Sequence, residues 1–170
     1  MELVTVAPLV EALAAALRAR GARMATAESC TGGLIAAACT SLAGSSDWFE
    51  RGFVTYSNQA KTELLGVPPA LLQAHGAVSE EVARAMATGA LAHAPVQAAV
   101  AVTGIAGPGG AVPGKPVGTV WLALATAAPL GAGVWARRLQ LDGDRQQVRW
   151  QTLVEALRGL HACIEGPSAG

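Results

Sequence analysis

Two adjacent side chains that could attack a carbonyl stand where a predicted strand runs into a pair of glycines. The segment Thr26-Ala-Glu-Ser-Cys-Thr-Gly-Gly33 places Ser29 and Cys30 at the start of a helix. Free backbone amides at a helix N-terminus can hold an oxyanion, and the positive end of the helix dipole favours negative charge. The motif is therefore compatible with a nucleophilic serine or cysteine, with amides of the following turn as oxyanion donors. The structural alternatives are a helix cap at Ser29 or Thr31 and a core position for Cys30.

A lysine that could serve as the base follows in the segment Val54-Thr-Tyr-Ser-Asn-Gln-Ala-Lys61. Tyr56 is predicted to end a strand, and Lys61 lies on the next helix. Lysine can take a proton from a hydroxyl nucleophile when burial lowers its pKa, and Tyr56 could relay that proton or hold Lys61 in place. The histidines have no aspartate at an informative spacing, so a Ser-His-Asp arrangement is not favoured. A solvated lysine on a helix surface is the alternative.

A glycine-rich segment, Thr103-Gly-Ile-Ala-Gly-Pro-Gly-Gly110, follows a predicted buried strand. Glycine amides can approach an anion closely, and ligands of α/β sheets bind at the ends of such strands. The spacing is not G-x-G-x-x-G, which excludes the dinucleotide fingerprint. Gly109 to Lys115 matches G-x-x-x-x-G-K, but Pro116 replaces the magnesium-binding Ser or Thr and a strand follows. We therefore reject a P-loop and expect a phosphate-binding loop, with a plain tight loop as the alternative.

One arginine is a candidate partner for an anion at this loop. Asp142-Gly-Asp-Arg145 opens the last predicted helix, so Arg145 stands where an acidic residue is normally favoured. A guanidinium can make a charge-assisted hydrogen bond to a phosphate. The alternative is an ordinary surface arginine.

The elements that must position these residues follow the order α-β-α-β-α-α-α-β-β-β-α. Helices are predicted over 6–20, 31 or 32–40, 59–65, 68–73, 79–92 and 145–164, and strands over 23–27, 52–56, 97–102, 119–126 and 133–141. Asn58 and Ser79 are expected to cap the third and fifth helices, and 47–50 to form a short turn. Alternating elements imply a sheet with helices on both faces, and the final hairpin makes that sheet mixed.

The composition excludes several classes of protein. Of 170 residues, 52% are hydrophobic and 14% charged, with no net charge, so the chain is not disordered and nucleic acid is not its expected partner. The sequence predicts no membrane-spanning helix and no secretory signal. Cys30, Cys39 and Cys163 form no C-x-x-C pair, so we expect reduced thiols, a cytoplasmic location and no metal site. We expect one domain over 1–165, a flexible tail over 166–170, and a dimer.

Together these segments resemble the C-terminal domain of the CinA (competence/damage-inducible) family. The matching stretches are Thr26-Ala-Glu-Ser-Cys-Thr-Gly-Gly33, Gly44-Ser-Ser46, Val54-Thr-Tyr-Ser-Asn58, Lys61, Leu65-Gly-Val67, His75-Gly-Ala-Val-Ser79, Thr103-Gly-Ile-Ala-Gly-Pro-Gly-Gly110 and Lys115-Pro-Val-Gly118. The resemblance implies a three-layer α/β/α sandwich and a stand-alone nicotinamide-nucleotide amidohydrolase. Such an enzyme converts nicotinamide mononucleotide (NMN) and water into nicotinate mononucleotide and ammonia. We expect no cofactor. The alternative function is a nucleotide-binding module of the same fold without turnover.

The resemblance also favours one set of site residues. Ser29 is the expected nucleophile, with Cys30 as its rival, and Lys61 and Tyr56 are the expected proton-transfer partners. The residues expected to bind substrate are Thr31, Gly32, Gly33, Ser46, Thr103, Gly104, Gly107, Gly109 and Arg145.

Overall fold

A mixed sheet forms the centre of the molecule in the computed structural model, which describes residues 2–166. Its strands are β1 (Met24–Glu28), β2 (Phe49–Val54), β3 (Ala98–Gly104), β4 (Thr119–Thr126) and β5 (Gly133–Gln140). Their order across the sheet is β2-β1-β3-β4-β5. β1 runs parallel to β2 and β3, whereas β4 is antiparallel to β3 and β5. The carboxyl ends of β1, β2 and β3 therefore meet at one edge of the sheet.

Helices cover both faces of this sheet. They are α1 (Ala7–Ala19), α2 (Leu34–Thr40), α3 (Asn58–Leu65), α4 (Pro69–His75), α5 (Glu80–Ala92) and α6 (Arg145–Glu165). Short 3-10 helices occupy Leu3–Val6 and Ser45–Asp47. α1, α2 and α6 pack in one apolar core, and α3, α4 and α5 in another on the opposite face. The predicted element order and the three-layer mixed α/β class are confirmed. None of the helices within 2–166 is both long and apolar enough to cross a membrane.

Small side chains let the α3–α5 layer approach the sheet closely. On that face the fully buried apolar side chains that β1, β3 and β4 contribute to this core are all alanines (Ala27, Ala99, Ala101, Ala123 and Ala125), with the partly buried Trp121 of β4 packed against them. α5 packs on them and also touches α3 through Gly89, where a Cβ would lie 2.0 Å from the Leu65 carbonyl oxygen. Because no side chain fits there, α3 is fixed against α5. This contact fixes the position of the helix that carries Lys61.

Two predicted strands end at different residues in the structure. β1 continues through Glu28, one residue beyond the prediction, and β2 runs over Phe49–Val54 instead of 52–56. The two strands pair in parallel as far as Glu28 and Val54. Tyr56 therefore lies beyond the strand that it was predicted to end. The first half of β2 was not predicted as a strand because it contains charged residues. An edge strand can carry such residues, since it can expose them to solvent.

Several helix boundaries also differ from the prediction. α2 begins at Leu34, because residues 29–33 form a turn and Gly33 has a φ of 95°, outside the helical region. α3 is capped by Ser57, whose Oγ accepts from the Ala60 amide at 3.0 Å, and not by Asn58. The turn predicted at 47–50 divides into the 3-10 helix and the start of β2. The cap at Ser79 is confirmed, and Asp144 caps α6, its side chain accepting from the Gln147 amide. Of the predicted tail, 167–170 lie outside the described residues.

Candidate active site

Ser29 lies directly after β1, at the sheet edge where the parallel strands end. Its amide donates to the Val102 carbonyl of β3 at 3.0 Å. Side chains alternate between the faces of a strand, so Ser29 follows Ala27 toward the α3–α5 layer. There the Lys61 Nζ lies 3.2 Å from the Ser29 Oγ. The structure thus brings together two residues that are 32 positions apart in the sequence.

Lys61 is held in an environment that disfavours its charged form. The residue is only 1% exposed, and its Nζ makes a second hydrogen bond, to the Thr55 carbonyl oxygen at 2.9 Å. Within residues 2–166 no carboxylate lies within ion-pairing distance of Nζ. Burial lowers the pKa of the Lys61 ammonium from its ordinary value of 10.5, and the Cys30 thiol acts in the opposite direction. A neutral amine beside a serine hydroxyl can accept its proton.

Cys30 occupies the opposite face of the sheet from Ser29. Its side chain packs in the core formed by α1, α2 and α6, and the residue is 5% exposed. Burial, with a smaller contribution from the charge of Glu28, raises the pKa of the Cys30 thiol to about 12. The reactive form of cysteine is the thiolate. The structure therefore favours Ser29 over Cys30 as the nucleophile.

Three of the five amides in the turn 29–33, called the Ser29 turn below, already donate to protein oxygens. The Gly32 amide donates to the Ser29 carbonyl at 3.1 Å, and the Gly33 amide donates to the Glu28 carboxylate at 3.0 Å. Neither is available to an oxyanion in this conformation, which corrects their predicted role as donors. Among the described residues the Cys30 and Thr31 amides make no hydrogen bond to an oxygen atom, and both point toward the Cys30 sulfur. Thr31 is fully buried, so Cys30 has the only exposed atoms of that pair.

Arg145 connects the glycine-rich loop to the segment after β2. Its Nη1 donates to the Gly107 carbonyl at 2.9 Å, and its Nη2 donates to the Tyr56 hydroxyl oxygen at 2.8 Å. Tyr56 is 61% exposed and contacts Arg145, whereas the Thr55 carbonyl holds Lys61. Since Arg145 is itself exposed, the guanidinium can also face an anionic ligand. Arg145 thus contacts the glycine loop, and the binding of an anion by the two together stays a prediction.

The other predicted loop residues differ in how accessible they are. Thr103 is buried, and its hydroxyl donates to the Ala77 carbonyl at 2.8 Å. Gly104 lies within β3, where a Cβ would come 2.8 Å from the Thr119 carbonyl, so glycine is needed there for strand packing. Gly109 is exposed, and open space surrounds the position of its absent Cβ. Gly109 is therefore the predicted loop glycine that a ligand can approach most freely.

Ser46 is not brought to the other candidates. It lies in the 3-10 helix before β2, at the amino end of that strand, whereas Ser29 follows the carboxyl end of β1. β1 is five residues long, which separates the two ends by roughly 16 Å. Within one chain Ser46 and Ser29 therefore lie at opposite ends of the sheet, and a substrate contact by Ser46 stays a prediction.

Sequence reasoning missed three residues that build this site. Thr55 supplies the carbonyl that holds Lys61, and its buried hydroxyl has no partner within residues 2–166. Glu28 and Arg149 both bind the Ser29 turn from outside. Arg149 stands four residues after Arg145 on α6, a spacing that puts both on one helix face and could have revealed it. No three His, Cys, Asp or Glu side chains of the described chain converge as a metal site.

Residues 6–164 match the family model described as the CinA C-terminal domain. The chain belongs to this family. Two solved structures share its fold. The competence/damage inducible protein CihA from Agrobacterium tumefaciens is 44% identical with a TM-score of 0.88, covering 93% of this chain and 94% of that one. A CinA superfamily protein from Klebsiella pneumoniae is 38% identical with a TM-score of 0.88, covering 94% of this chain and 98% of that one.

Similar sequences include enzymes of about the same length. The nicotinamide-nucleotide amidohydrolase PncC of Escherichia coli K12 is 55% identical over 152 residues, 89% of this chain and 90% of that protein. The PncC of Pseudomonas putida is 56% identical over 144 residues, 85% of this chain and 88% of that protein. Two longer relatives, from Symbiobacterium thermophilum and Chlorobium luteolum, are 56% and 48% identical, and this chain spans only 36% and 38% of them. The family membership inferred from the motifs is thus confirmed.

Proposed function

We propose that this protein hydrolyses the carboxamide of NMN, giving nicotinate mononucleotide and ammonia, with Ser29 as nucleophile and Lys61 as base. The observation that carries the mechanism is the 3.2 Å contact between the Ser29 Oγ and a Lys61 Nζ that is buried without a carboxylate partner among residues 2–166. The names of the two PncC relatives, which this chain matches over most of its length, support the substrate.

The first step forms a bond between the Ser29 Oγ and the carboxamide carbon. Neutral Lys61 takes the hydroxyl proton as that bond forms, and the carbonyl oxygen becomes an oxyanion. The Cys30 amide is the best placed donor for this oxyanion, because it makes no hydrogen bond to an oxygen atom of the described residues and belongs to the residue next to the nucleophile. The Thr55 carbonyl oxygen, 2.9 Å from Nζ, stabilises the ammonium that results.

The next steps release the two products. Lys61 returns its proton to the amide nitrogen, the C–N bond breaks, and ammonia leaves an ester between Ser29 and the nicotinate group. Water then attacks this ester while Lys61 accepts a proton from it. When the tetrahedral intermediate collapses, the Ser29 Oγ regains a proton and nicotinate mononucleotide leaves. The reaction is balanced, since one water is consumed for each ammonia released.

The phosphate of NMN is assigned to the Arg145 side of the site. Arg145 already spans the glycine loop and Tyr56, and it adds the positive charge that a phosphate requires. Gly109, two residues after the glycine whose carbonyl Arg145 binds, has open space where a side chain would be. Tyr56 thereby acts at the phosphate end of the substrate, because its hydroxyl accepts a hydrogen bond from Arg145 and orients the guanidinium. Its part in proton transfer stays a prediction.

Ammonia release by the purified protein tests the function. The protein is incubated without added metal with NMN, nicotinamide and NAD, and ammonia and the mass of the product are measured. We expect turnover of NMN, loss of that turnover in Ser29→Ala, and unchanged turnover in Ser41→Ala, a control serine at the exposed end of α2. Calorimetric binding of NMN by a wild type that releases no ammonia would favour the nucleotide-binding module instead.

We also propose that the protein forms a dimer. β5 is an edge strand, and it exposes Val134 and Trp135, the latter to 48%. Exposed apolar side chains on an unpaired strand edge favour association. Light scattering is expected to give about twice the mass of one chain, and a monomer at all concentrations would refute the proposal.

A further inference from the structure

Two charged side chains hold the Ser29 turn from opposite sides. Glu28 precedes the turn in the sequence, whereas Arg149 reaches it from α6, 118 positions away from the Thr31 carbonyl that it contacts. Neither contact involves the Ser29 hydroxyl or Lys61. The turn is therefore anchored by groups that leave its reactive atoms free.

Glu28 anchors the turn to the start of α2. The residue is fully buried, and its Oε2 accepts from the Gly33 and Ile35 amides, both at 3.0 Å. Its Oε1 accepts from the Ala36 amide at 2.8 Å and the Thr26 hydroxyl at 3.2 Å. Both oxygens are acceptors, so a carboxylate is required and an amide side chain would set an N–H against another N–H.

Arg149 fixes the middle of the turn. Its Nη2 donates to the Thr31 carbonyl at 2.7 Å. The peptide unit of that carbonyl also carries the Gly32 amide, which donates to the Ser29 carbonyl at 3.1 Å. Because a peptide unit is planar, holding its oxygen also holds its N–H. A contact made on α6 is thereby transmitted to the backbone of Ser29.

We propose that Glu28 and Arg149 are positioning residues that hold the Ser29 turn in the conformation needed for attack. The inference rests on the proposed function, because it assigns what keeps the nucleophile and the free Cys30 amide in place. Glu28 accepts from the Gly33 amide, and Arg149 orients the peptide of Gly32, so among the described residues of the turn only the Cys30 and Thr31 amides make no hydrogen bond to an oxygen atom. Removing an anchor lets the Ser29 Oγ shift relative to Lys61 without changing what binds the substrate.

Steady-state kinetics of Arg149 variants with NMN test this role. We expect Arg149→Met to lower kcat about ten- to hundredfold, since a displacement of about 1 Å can cost that much. The KM is expected to stay within about twofold of wild type, because only positioning is lost. Arg149→Lys keeps an N–H donor and should recover part of kcat. Arg158→Met, on the exposed part of the same helix, is the matched control and should leave both constants unchanged.

A second measurement does not depend on NMN. The rate at which a fluorophosphonate modifies Ser29, followed by mass spectrometry, should fall in Arg149→Met and recover in Arg149→Lys. Glu28→Gln should show the same loss; if this variant does not fold, the Arg149 series decides the matter. Unchanged kcat and labelling in a folded Arg149→Met would overturn the proposal, as would a raised KM with unchanged kcat, which would make Arg149 a substrate contact. No ammonia from wild type, with labelling still lowered in Arg149→Met, would refute the function and leave the anchoring role supported.

Discussion

Replacing Lys61 by methionine is the sharpest test of the proposed mechanism. Methionine keeps most of the apolar length of lysine and removes the amine, so a residue that is 1% exposed loses its base with little change in packing. General base catalysis contributes about 10²–10⁴ in rate. At about 1.4 kcal/mol for each factor of ten, the variant should lose about 3–5 kcal/mol of transition-state stabilisation.

The assay is ammonia release from NMN at saturating and at low substrate. Lys61→Met should lose kcat, with KM little changed, because the amine contacts Ser29 and the Thr55 carbonyl and no part of the proposed phosphate site. Lys61→Arg should be equally inactive, since a guanidinium does not deprotonate in proteins. Lys115→Met is the matched control. It alters the only other lysine of the chain, whose Nζ donates to the His75 carbonyl at 3.0 Å, and should keep wild-type kcat.

We also expect Lys61→Met to change how the free energy of unfolding depends on pH. Burial lowers the folded-state pKa of Lys61 below 10.5, whereas the unfolded chain retains the ordinary value. Between the two pKa values the unfolded state binds more protons, so the wild-type free energy of unfolding should rise with pH by up to about 1.4 kcal/mol per unit. Lys61→Met should lack this rise in denaturant titrations across the alkaline range. Turnover of Lys61→Met within about fivefold of wild type would refute the role of Lys61 as base.

Four further outcomes follow from the site. The kcat/KM of the wild type should rise with pH as Lys61 loses its proton, with the midpoint below 10.5 in a pH-rate profile. Arg145→Ala should raise the KM for NMN about 10- to 100-fold and leave hydrolysis of nicotinamide unchanged, whereas Arg158→Ala should change neither. Tyr56→Phe removes the acceptor of Arg145, so steady-state kinetics should show a raised KM; a large loss of kcat would instead support a proton relay. Cys30→Ala should retain kcat, and its loss would restore the thiol as a candidate nucleophile.

Local patterns were sufficient to predict the elements but not their ends. The order of helices and strands and the β4–β5 hairpin follow from hydrophobic periodicity and turn residues, which are properties of neighbouring positions. The end of β1 at Glu28 and the early start of β2 depend on how the two strands pair. Pairing is a contact between segments far apart in the chain, so periodicity within either segment does not contain it.

The sequence by itself determined the family, the order of the elements and the choice of Ser29, Lys61, Tyr56 and Arg145 as candidate site residues, because a short motif contains each of these residues. Only the tertiary structure shows that Ser29, and not Cys30, lies beside Lys61. The two are adjacent, and alternation sends one toward Lys61 and the other into the opposite core, but which core holds the lysine depends on where α3 packs.

The tertiary structure also determines which motifs lie close together. Arg145 and Tyr56 are 89 positions apart in sequence and hydrogen-bonded, whereas Ser46 is closer to Ser29 in sequence and lies at the other end of the sheet. The number of residues between two positions predicts neither the contact nor the separation. Between two parallel strands the chain crosses back over the sheet, so that residues far apart in sequence come to the same end of the sheet. The charge and burial around Lys61 depend on the same packing, and they decide whether a lysine four residues into a helix is a solvated cation or a base.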